Sequence, residues 1–213
     1  MNCNADKAAD DLKALLDFYK IKKVNLVGHD WGAGVAYRFS LKYQERLHKL
    51  VILNMIHPLA KTNKLPFAQI LKSWYVFFFQ LNGIAELALK ANNFGSFRGM
   101  LIKSHYTKDD MIRLTEAHNK HPKSATRMLN WYRYWLRYEI PNKSIAIPNK
   151  KIEVPMKMIW GKDDIAIHID ASKISMDKEL VTNGEVVYLD THHFVQHGKP
   201  DEVNEEIFKF LKK

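Results

Sequence analysis

Residues 24–34 read Val24-Asn25-Leu26-Val27-Gly28-His29-Asp30-Trp31-Gly32-Ala33-Gly34, which places a carboxylate where an apolar run gives way to a helical pattern. The apolar run predicts a buried strand, and the residues that follow have helical spacing. A sharp strand-to-helix turn strains its central residue and brings the two backbones close together, so small residues are needed two positions away on each side. Gly28 and Gly32 are predicted to meet this requirement. The stretch therefore predicts that Asp30 projects from the edge of a sheet.

A carboxylate at such a turn has specific chemical consequences. The positive end of the following helix favours an anion, and an ionised aspartate needs no base before it attacks carbon to form an ester. The alternative is an ordinary loop aspartate that caps the helix at Trp31. A dinucleotide site is the weaker interpretation, because Tyr37 stands where a third glycine or alanine is needed.

Two further signals follow predicted strands in a meaningful order. Gly161-Lys162-Asp163-Asp164 comes after an apolar run that ends at Trp160, and His192-His193-Phe194-Val195-Gln196 comes after one that ends at Leu189. Taken singly, the first is a solvated turn and the second a surface histidine. Nucleophile, acid and histidine in this chain order are typical of one hydrolase architecture, so together they indicate catalysis.

The elements along the chain predict an α/β sheet interrupted by a helical segment. Helices are expected over residues 6–19, 31–43 and 201–211, and strands over 24–27, 50–53, 155–160 and 185–189. Between them lies an aromatic-rich stretch with helical patterns and no convincing strand. We therefore predict three parts: residues 1–57 as the first part of the core, 58–150 as a helical cap, and 151–213 as the second part of the core.

Composition constrains the cellular compartment in which the protein is expected. The 213 residues carry a formal charge of +10, and Cys3 is the single cysteine, so no internal disulfide is possible and a reducing, cytoplasmic setting fits best. The most aromatic stretch, residues 71–89, is interrupted by charged and amide side chains and is not expected to span a bilayer. The first residues show no secretory signal.

The chain resembles the epoxide hydrolase branch of the α/β-hydrolases, from the helix before Asp30 to the C-terminus. The motifs that carry the resemblance are Leu26-Val27-Gly28-His29-Asp30-Trp31-Gly32, Asn130-Trp131-Tyr132-Arg133, Gly161-Lys162-Asp163-Asp164, His193-Phe194-Val195-Gln196 and Pro200-Asp201-Glu202-Val203-Asn204. The resemblance implies a partial α/β-hydrolase fold, with a mostly parallel sheet, flanking helices and an inserted helical cap. It further implies a small apolar epoxide as substrate, a vicinal diol as product, and no metal or organic cofactor.

The resemblance also assigns roles in the core. Asp30 becomes the nucleophile, His193 the base and Asp164 the acid that orients it, with Asp163 as the alternative. The backbone amide of Trp31 becomes a donor to the oxyanion, and His29 lies beside it in the binding site.

Two cap tyrosines carry the roles that distinguish an epoxide from other substrates. Epoxide opening leaves an alkoxide, so positioned acids must donate to that oxygen, and such donors typically contribute about 10²–10⁴-fold. The resemblance places them at Tyr75 and Tyr132. The alternative is that both are cap core, because an apolar helical stripe is predicted beside Tyr132; its members are Met128, Trp131, Trp135 and Tyr138.

Three other functions are weaker. A haloalkane dehalogenase uses the same Asp–His–acid chemistry, but halide leaves without a proton, so the tyrosines would be unnecessary and the Trp31 indole would hold the ion. A non-enzymatic binder of nucleic acid or anionic membrane would draw on the +10 charge and on Arg127, Arg133 and Arg137. Lysines scattered along the chain indicate a generally basic surface instead, so we expect no nucleic-acid partner. A metal site from His192, His193 and His197 is not expected, because Gly198 and Pro200 oppose the helix that it needs.

The sequence also departs from the family it resembles. Family members have a His-Gly-x-Pro loop upstream of the nucleophile, which supplies a second oxyanion donor, whereas here His197-Gly198-Lys199-Pro200 comes late, and we interpret Pro200 as the start of the last helix. Without upstream strands, residues 24–27 should expose an apolar edge. We expect a fragment, a truncated gene product, or a chain completed by a homo-oligomer or another segment, with membrane association if an anchor has been lost. Loss of one oxyanion donor lowers the rate by about 10²–10³.

Overall fold

The computed structural model describes residues 4–103, 105–141 and 151–212, without the side chains of residues 96, 102 and 103. Its backbone contacts divide the chain into two compact units. The first, which we call the sheet unit, contains residues 5–72 and 151–212. The second, the helical unit, contains residue 4 and residues 73–141.

Strands and helices follow one another in the order predicted for an interrupted α/β sheet. The strands are β1 (Val24–His29), β2 (Leu47–Leu53), β3 (Met156–Gly161) and β4 (Gly184–Leu189). The helices are α1 (Ala5–Phe18), α2 (Trp31–Lys42), α3 (Phe67–Lys72), α4 (Trp74–Phe78), α5 (Ile84–Lys103), α6 (Lys108–Lys120), α7 (Ser124–Tyr134), α8 (Asp170–Ser175), α9 (Val195–Gly198) and α10 (Pro200–Lys212). Short 3₁₀ turns cover Gln44–Arg46 and Thr62–Lys64, and a π-helical turn covers Trp135–Glu139. The predicted start of the last helix at Pro200 is confirmed.

The sheet unit is built on one four-stranded sheet in the order β1-β2-β3-β4, and all three strand pairs are parallel. All four predicted strands are present, with slightly different ends. Parallel strands point their carboxyl ends at the same edge, so the turns after β1, β2, β3 and β4 meet there. Because β1 is the first strand in this order, its outer edge is not paired within the described chain, and Val27 is 43% exposed. This confirms the expected apolar edge.

Alternating side chains of the strands pack on opposite faces of the sheet, as the two-residue period requires. On one face, Leu50 and Met158 contact Ala33 and Tyr37 of α2. On the other face, apolar side chains of β2, β3 and β4 pack against α9 and α10. The strands contribute Val51, Leu53, Ile159 and Leu189, and the helices contribute Val195, Val203 and Phe210. Helices therefore cover both faces of the sheet at β2 and β3, whose buried parts are nearly continuous apolar runs. Asn25 and Val27 of β1 remain exposed.

The helical unit contains helices and turns but no strand among its described residues. Helix α5 contains a kink, since residues 91–94 leave helical geometry and Asn92, Asn93 and Phe94 have positive φ. In α7 the buried side chains are Ala125, Leu129 and Arg133. In the predicted apolar stripe, Met128, Trp131 and Trp135 are partly buried and Tyr138 is half exposed, so the most buried line of α7 runs through Ala125, Leu129 and Arg133 instead.

The unit boundary lies later in the chain than the predicted start of the cap at residue 58. Residues 58–72, including α3, belong to the sheet unit. Helix α3 is held there because the Gln69 amide donates to the Ala166 carbonyl at 3.0 Å and accepts from the His168 amide at 2.6 Å. None of the helices in the described residues combines the length and the apolar character needed to cross a membrane.

The turn between β1 and α2 depends on the absence of a side chain at Gly28. A Cβ added at Gly28 would lie 2.7 Å from the Ala33 Cα and 2.7 Å from the Gly32 carbonyl oxygen. A Cβ added at Gly32 would meet no heavy atom of the described chain within 4 Å. The predicted close approach is thus confirmed at Gly28, whereas its extension to Gly32 is wrong because Gly32 already faces open space.

Substitution of the two glycines should distinguish the crowded position at Gly28 from the open position at Gly32. We expect Gly28→Ala to lower the free energy of unfolding by about 1–3 kcal/mol, since the new methyl group overlaps backbone that cannot move aside. Gly32→Ala, in the first turn of α2, should leave the stability unchanged or raise it by up to about 1 kcal/mol. Urea unfolding of both variants checks this, and equal destabilisation would contradict it.

Candidate active site

Asp30 lies at the turn between β1 and α2 in strained backbone geometry, with φ 50° and ψ −126°. Its amide donates to the Leu53 carbonyl at 3.4 Å, and its own carbonyl accepts from the Gly34 amide at 3.0 Å. The side chain makes no capping hydrogen bond to α2. The alternative interpretation of Asp30 as an ordinary helix cap is therefore wrong, and its carboxylate, about one-third exposed, is available for other contacts.

Asp164, just after β3, is a buried carboxylate with every lone-pair direction in use. Its Oδ1 accepts from the amides of Ala166 at 2.7 Å and Ile167 at 2.9 Å. Its Oδ2 accepts from Asn54 Nδ2 at 2.6 Å and lies 2.8 Å from His193 Nδ1. Burial alone would raise the pKa of Asp164, but His193, Asn54 and the Ile167 amide outweigh it and hold that pKa below its usual range. Asp164 is therefore ionised.

Asn54 is a site residue that sequence reasoning missed. It follows β2, is fully buried and has a φ of 43°, a conformation that asparagine tolerates better than most residues. Its Oδ1 accepts from the Gly161 amide at 3.0 Å while its Nδ2 donates to Asp164. Asn54 therefore joins the ends of β2 and β3 and holds the acid. The available signal was a lone polar residue directly after an apolar strand.

His193, in the turn after β4, connects the two carboxylates. Its Nδ1 lies 2.8 Å from Asp164 and its Nε2 lies 3.7 Å from Asp30 Oδ1. Burial would lower the pKa of His193, but the hydrogen bonds and charges of Asp164 and Asp30 outweigh it and raise that pKa to about 10. The structure thus brings together Asp30, Asp164 and His193, the residues that the sequence predicts in the chain order nucleophile, acid and histidine, and it places His193 between the two carboxylates. Asp163 is exposed and uses its amide to bind the Thr191 carbonyl at 3.0 Å.

The two neighbouring acids offer a matched test of which carboxylate acts on His193. We expect Asp164→Asn to lower the pKa of His193 from about 10, since the charge and the hydrogen bond that raise it are weakened. Asp163→Asn should leave that pKa unchanged. An NMR titration of the His193 ring protons measures both, and a larger shift in the Asp163 variant would reverse the assignment.

The turn that carries Asp164 is fixed by its backbone neighbours. A Cβ added at Gly161 would lie 2.2 Å from the His192 carbonyl oxygen and 2.6 Å from that of Thr191. This close approach brings the acid turn and the histidine turn into direct backbone contact. On the other side, Lys72 Nζ of α3 donates to the Asp164 carbonyl.

His29 and Trp31, predicted as binding and oxyanion residues, flank Asp30 in the chain. Trp31 is the first residue of α2, so its amide belongs to the positive end of that helix. The His29 ring lies against His193 and Phe194, with ring centroids 4.9 Å and 5.3 Å apart. Among the residues that the structure describes, no group of three histidine, cysteine or acidic side chains is arranged to hold a metal ion.

Tyr75 and Tyr132, predicted as proton donors, lie together in the helical unit. Tyr75 is on α4 and Tyr132 on α7, and their ring centroids are 5.8 Å apart at 81°. Both rings also contact Phe79, at 5.4 Å and 5.0 Å. The two phenols therefore come from different helices but share one aromatic cluster.

A buried ion pair fixes the helices that carry these tyrosines. Arg133, directly after Tyr132, is 2% exposed and donates through both terminal nitrogens to Glu86, at 2.5 Å and 2.9 Å. Its Nε donates to the Phe79 carbonyl at 2.9 Å. The hydrogen bond from Arg133 is the main cause that lowers the pKa of Glu86 to about 2. Arg133 is thus a structural residue and not a surface charge, which removes it from the basic surface considered for nucleic acid.

The Arg133–Glu86 pair predicts an acid-sensitive contribution to stability. Since the pKa of Glu86 is about 2 in the folded chain, against an ordinary value of 4.5, its contribution is present above about pH 5 and is lost as the pH falls towards 2. We expect Glu86→Gln to lower the free energy of unfolding by about 1–3 kcal/mol at pH 7, because Arg133 loses its counter-charge. The difference from wild type should shrink between pH 5 and pH 2 in urea titrations, and a constant difference would contradict this.

Comparison with known proteins agrees with this architecture. The family model described as alpha/beta hydrolase fold matches residues 2–200. The AB hydrolase superfamily protein YfhM of Bacillus subtilis (strain 168) is 33% identical over 97% of this chain and 72% of its own length. Epoxide hydrolase 2 of Caenorhabditis elegans is 25% identical over 98% of this chain. A crystal structure of Bacillus megaterium epoxide hydrolase in complex with an inhibitor has a TM-score of 0.85 and 26% identity, covering 98% of this chain and 76% of that one.

These matches, with the sheet and turns described above, show that the chain belongs to the α/β-hydrolase fold family, and epoxide hydrolases are among the proteins it is similar to. The chain spans 60% of the length of the C. elegans relative and 59% of human epoxide hydrolase 4, to which it is 27% identical.

Proposed function

We propose that this hydrolase opens a small apolar epoxide to a vicinal diol through an ester on Asp30. The observation that carries the proposal is the arrangement at the carboxyl edge of the sheet. A partly exposed carboxylate on a strained turn lies 3.7 Å from a buried histidine, which is held at 2.8 Å by an ionised acid. The similarity to epoxide hydrolases supports an epoxide as the electrophile.

In the first half-reaction, Asp30 attacks an epoxide carbon. A carboxylate oxygen forms the new bond to carbon, the carbon–oxygen bond of the ring breaks, and its electron pair stays on the ring oxygen. That oxygen takes up a proton from a phenol, a role that we propose for Tyr75 and Tyr132. The support for this pairing is that both rings belong to one aromatic cluster, as two donors to a single oxygen require.

In the second half-reaction, His193 removes a proton from water, which attacks the ester carbonyl carbon. Esterification removes the negative charge of Asp30, and this charge is one cause of the raised pKa of His193. The pKa of His193 therefore falls once the ester has formed, which makes the ring a base when one is needed. The developing oxyanion receives a hydrogen bond from the Trp31 amide. On collapse, the bond between the carbonyl carbon and the substrate oxygen breaks, that oxygen takes the proton of the new carboxyl group, and the diol leaves the regenerated Asp30 carboxylate. The proton that His193 took from water returns through solvent to the phenolate left by the first half-reaction.

Two substitutions separate the half-reactions. With styrene oxide as probe, Asp30→Ala should form neither ester nor diol, since the nucleophile is gone. His193→Gln should form the ester but hydrolyse it about 10²–10⁴ times more slowly, so intact-protein mass spectrometry should show the added mass of one substrate. Diol formation by Asp30→Ala at the wild-type rate would end the proposal.

An isotope experiment provides an internal control. Turnover of the wild type in ¹⁸O-water should place ¹⁸O in the peptide that contains Asp30, because water attacks the carboxyl carbon of this residue. The peptide that contains Asp164 should stay unlabelled. Halide release from 1-chlorobutane is measured in parallel, and turnover of this substrate in preference to the epoxide would favour a dehalogenase instead.

A further inference from the structure

The His29 side chain bridges two positions of the segment that carries His193. Its Nε2 lies 3.0 Å from the His193 carbonyl oxygen, and its Nδ1 lies 3.4 Å from Gln196 Nε2. His29 ends β1 and pairs with Leu53 of β2 in the ladder, so its backbone is fixed by the sheet. The ring therefore links a rigid strand to the turn after β4.

The chemistry of the partners determines which group donates in each of the two His29 hydrogen bonds. A carbonyl oxygen only accepts, so the nitrogen facing His193 carries the proton. Burial, and then the charge of His193, lower the pKa of His29 to about 4, so the ring is neutral and its Nδ1 is an acceptor. Gln196 consequently donates to His29, and His29 donates to His193.

The segment that receives these bonds needs support from outside. Helix α9, Val195–Gly198, has four residues and is far too short to be stable by itself. His193 lies two residues before this helix, and Gln196 is its second residue. Holding both through one ring fixes the path of the backbone, and with it the point from which the His193 imidazole reaches Asp164 and Asp30.

We propose that His29 and Gln196 are positioning residues that hold the His193 base in place for ester hydrolysis. This inference rests on the proposed function. The carboxylate of Asp30 attacks without help from a base, whereas the water that cleaves the ester must be aligned with His193 Nε2. A displacement on the order of 1 Å at such a group can lower a rate by about 10²-fold.

The central variant is His29→Phe, which keeps a buried aromatic ring and removes both nitrogens. In single-turnover experiments with styrene oxide, we expect the ester to form at a rate within about threefold of wild type and to be hydrolysed about 10- to 100-fold more slowly. Gln196→Leu should slow hydrolysis in the same direction and by less. His29→Gln, which keeps an amide donor for the His193 carbonyl, should recover most of the rate.

A double substitution tests whether the two residues act as one unit. If Gln196 acts on His193 only through His29, the double variant His29→Phe with Gln196→Leu should hydrolyse the ester no more slowly than His29→Phe alone. The second change then removes a contact that is already lost. If the rate reductions of the two single variants multiply in the double variant, the two residues act independently, and the idea that they act as one unit is wrong.

His57→Phe is the matched control. His57 is also a buried histidine with a lowered pKa, of about 3, and its ring packs on Tyr37 with centroids 4.8 Å apart. This variant reports the general effect of replacing a buried imidazole by phenyl. It should leave the ratio of ester formation to hydrolysis unchanged, even if it melts at a lower temperature. The same shift in this ratio as in His29→Phe would assign the effect to lost stability and overturn the inference.

A spectroscopic readout keeps the inference testable apart from the reaction. The proton on His193 Nδ1, bonded to Asp164 at 2.8 Å, should give a low-field NMR signal in the free wild type. We expect faster solvent exchange and broadening of this signal in His29→Phe and an unchanged signal in His57→Phe. If neither the wild type nor His193→Gln forms an ester, the proposed function fails. The positioning role of His29 is then tested by this NMR signal alone. An unchanged signal together with wild-type hydrolysis by folded His29→Phe overturns the inference.

Discussion

The buried carboxylate of Asp164 is the constraint on which the candidate site depends. An ionised carboxylate away from water is costly unless hydrogen bonds replace its hydration. Here two backbone amides, Asn54 and His193 supply them, and they come from three separate strand ends. The same contacts that stabilise the charge therefore fix the positions of the turns relative to one another. His193 is oriented because it completes the set of donors around Asp164.

The helical unit also contains a buried charge that hydrogen bonds stabilise, here the guanidinium of Arg133. Arg133 is buried and would be destabilising without Glu86, which accepts from it through both carboxylate oxygens. The Phe79 carbonyl accepts from Nε, so one guanidinium connects α7 to the end of α4 and to the start of α5. Tyr132 precedes Arg133 in the chain, and Tyr75 packs on Phe79. A planar, bidentate contact that lysine could not reproduce therefore links the segments that carry the two phenols.

Local patterns in the sequence predicted much of the fold and the residues after each strand. All four strands were recognisable because each contains a short apolar run that ends at turn residues, and Gly28 marked the turn at Asp30. Contacts between distant residues were not predictable. Asn54 binds Asp164 across 110 positions, and no local feature separates it from any other asparagine after a strand. Arg133 looked like a surface charge because arginine is seldom buried, and its partner Glu86 lies 47 residues earlier.

The position of His193 relative to Asp164 is set by backbone contact as much as by their hydrogen bond. The absence of a side chain at Gly161 lets the end of β3 lie against the carbonyls of Thr191 and His192. The Lys162 and Asp163 amides then donate across to Leu189 and Thr191, at 2.9 Å and 3.0 Å. Two turns joined in this way move together, so a displacement of one carries the other with it. In the proposed mechanism, His193 faces a charged carboxylate in one step and a neutral ester in the next, and these main-chain contacts keep its geometry through that change of charge.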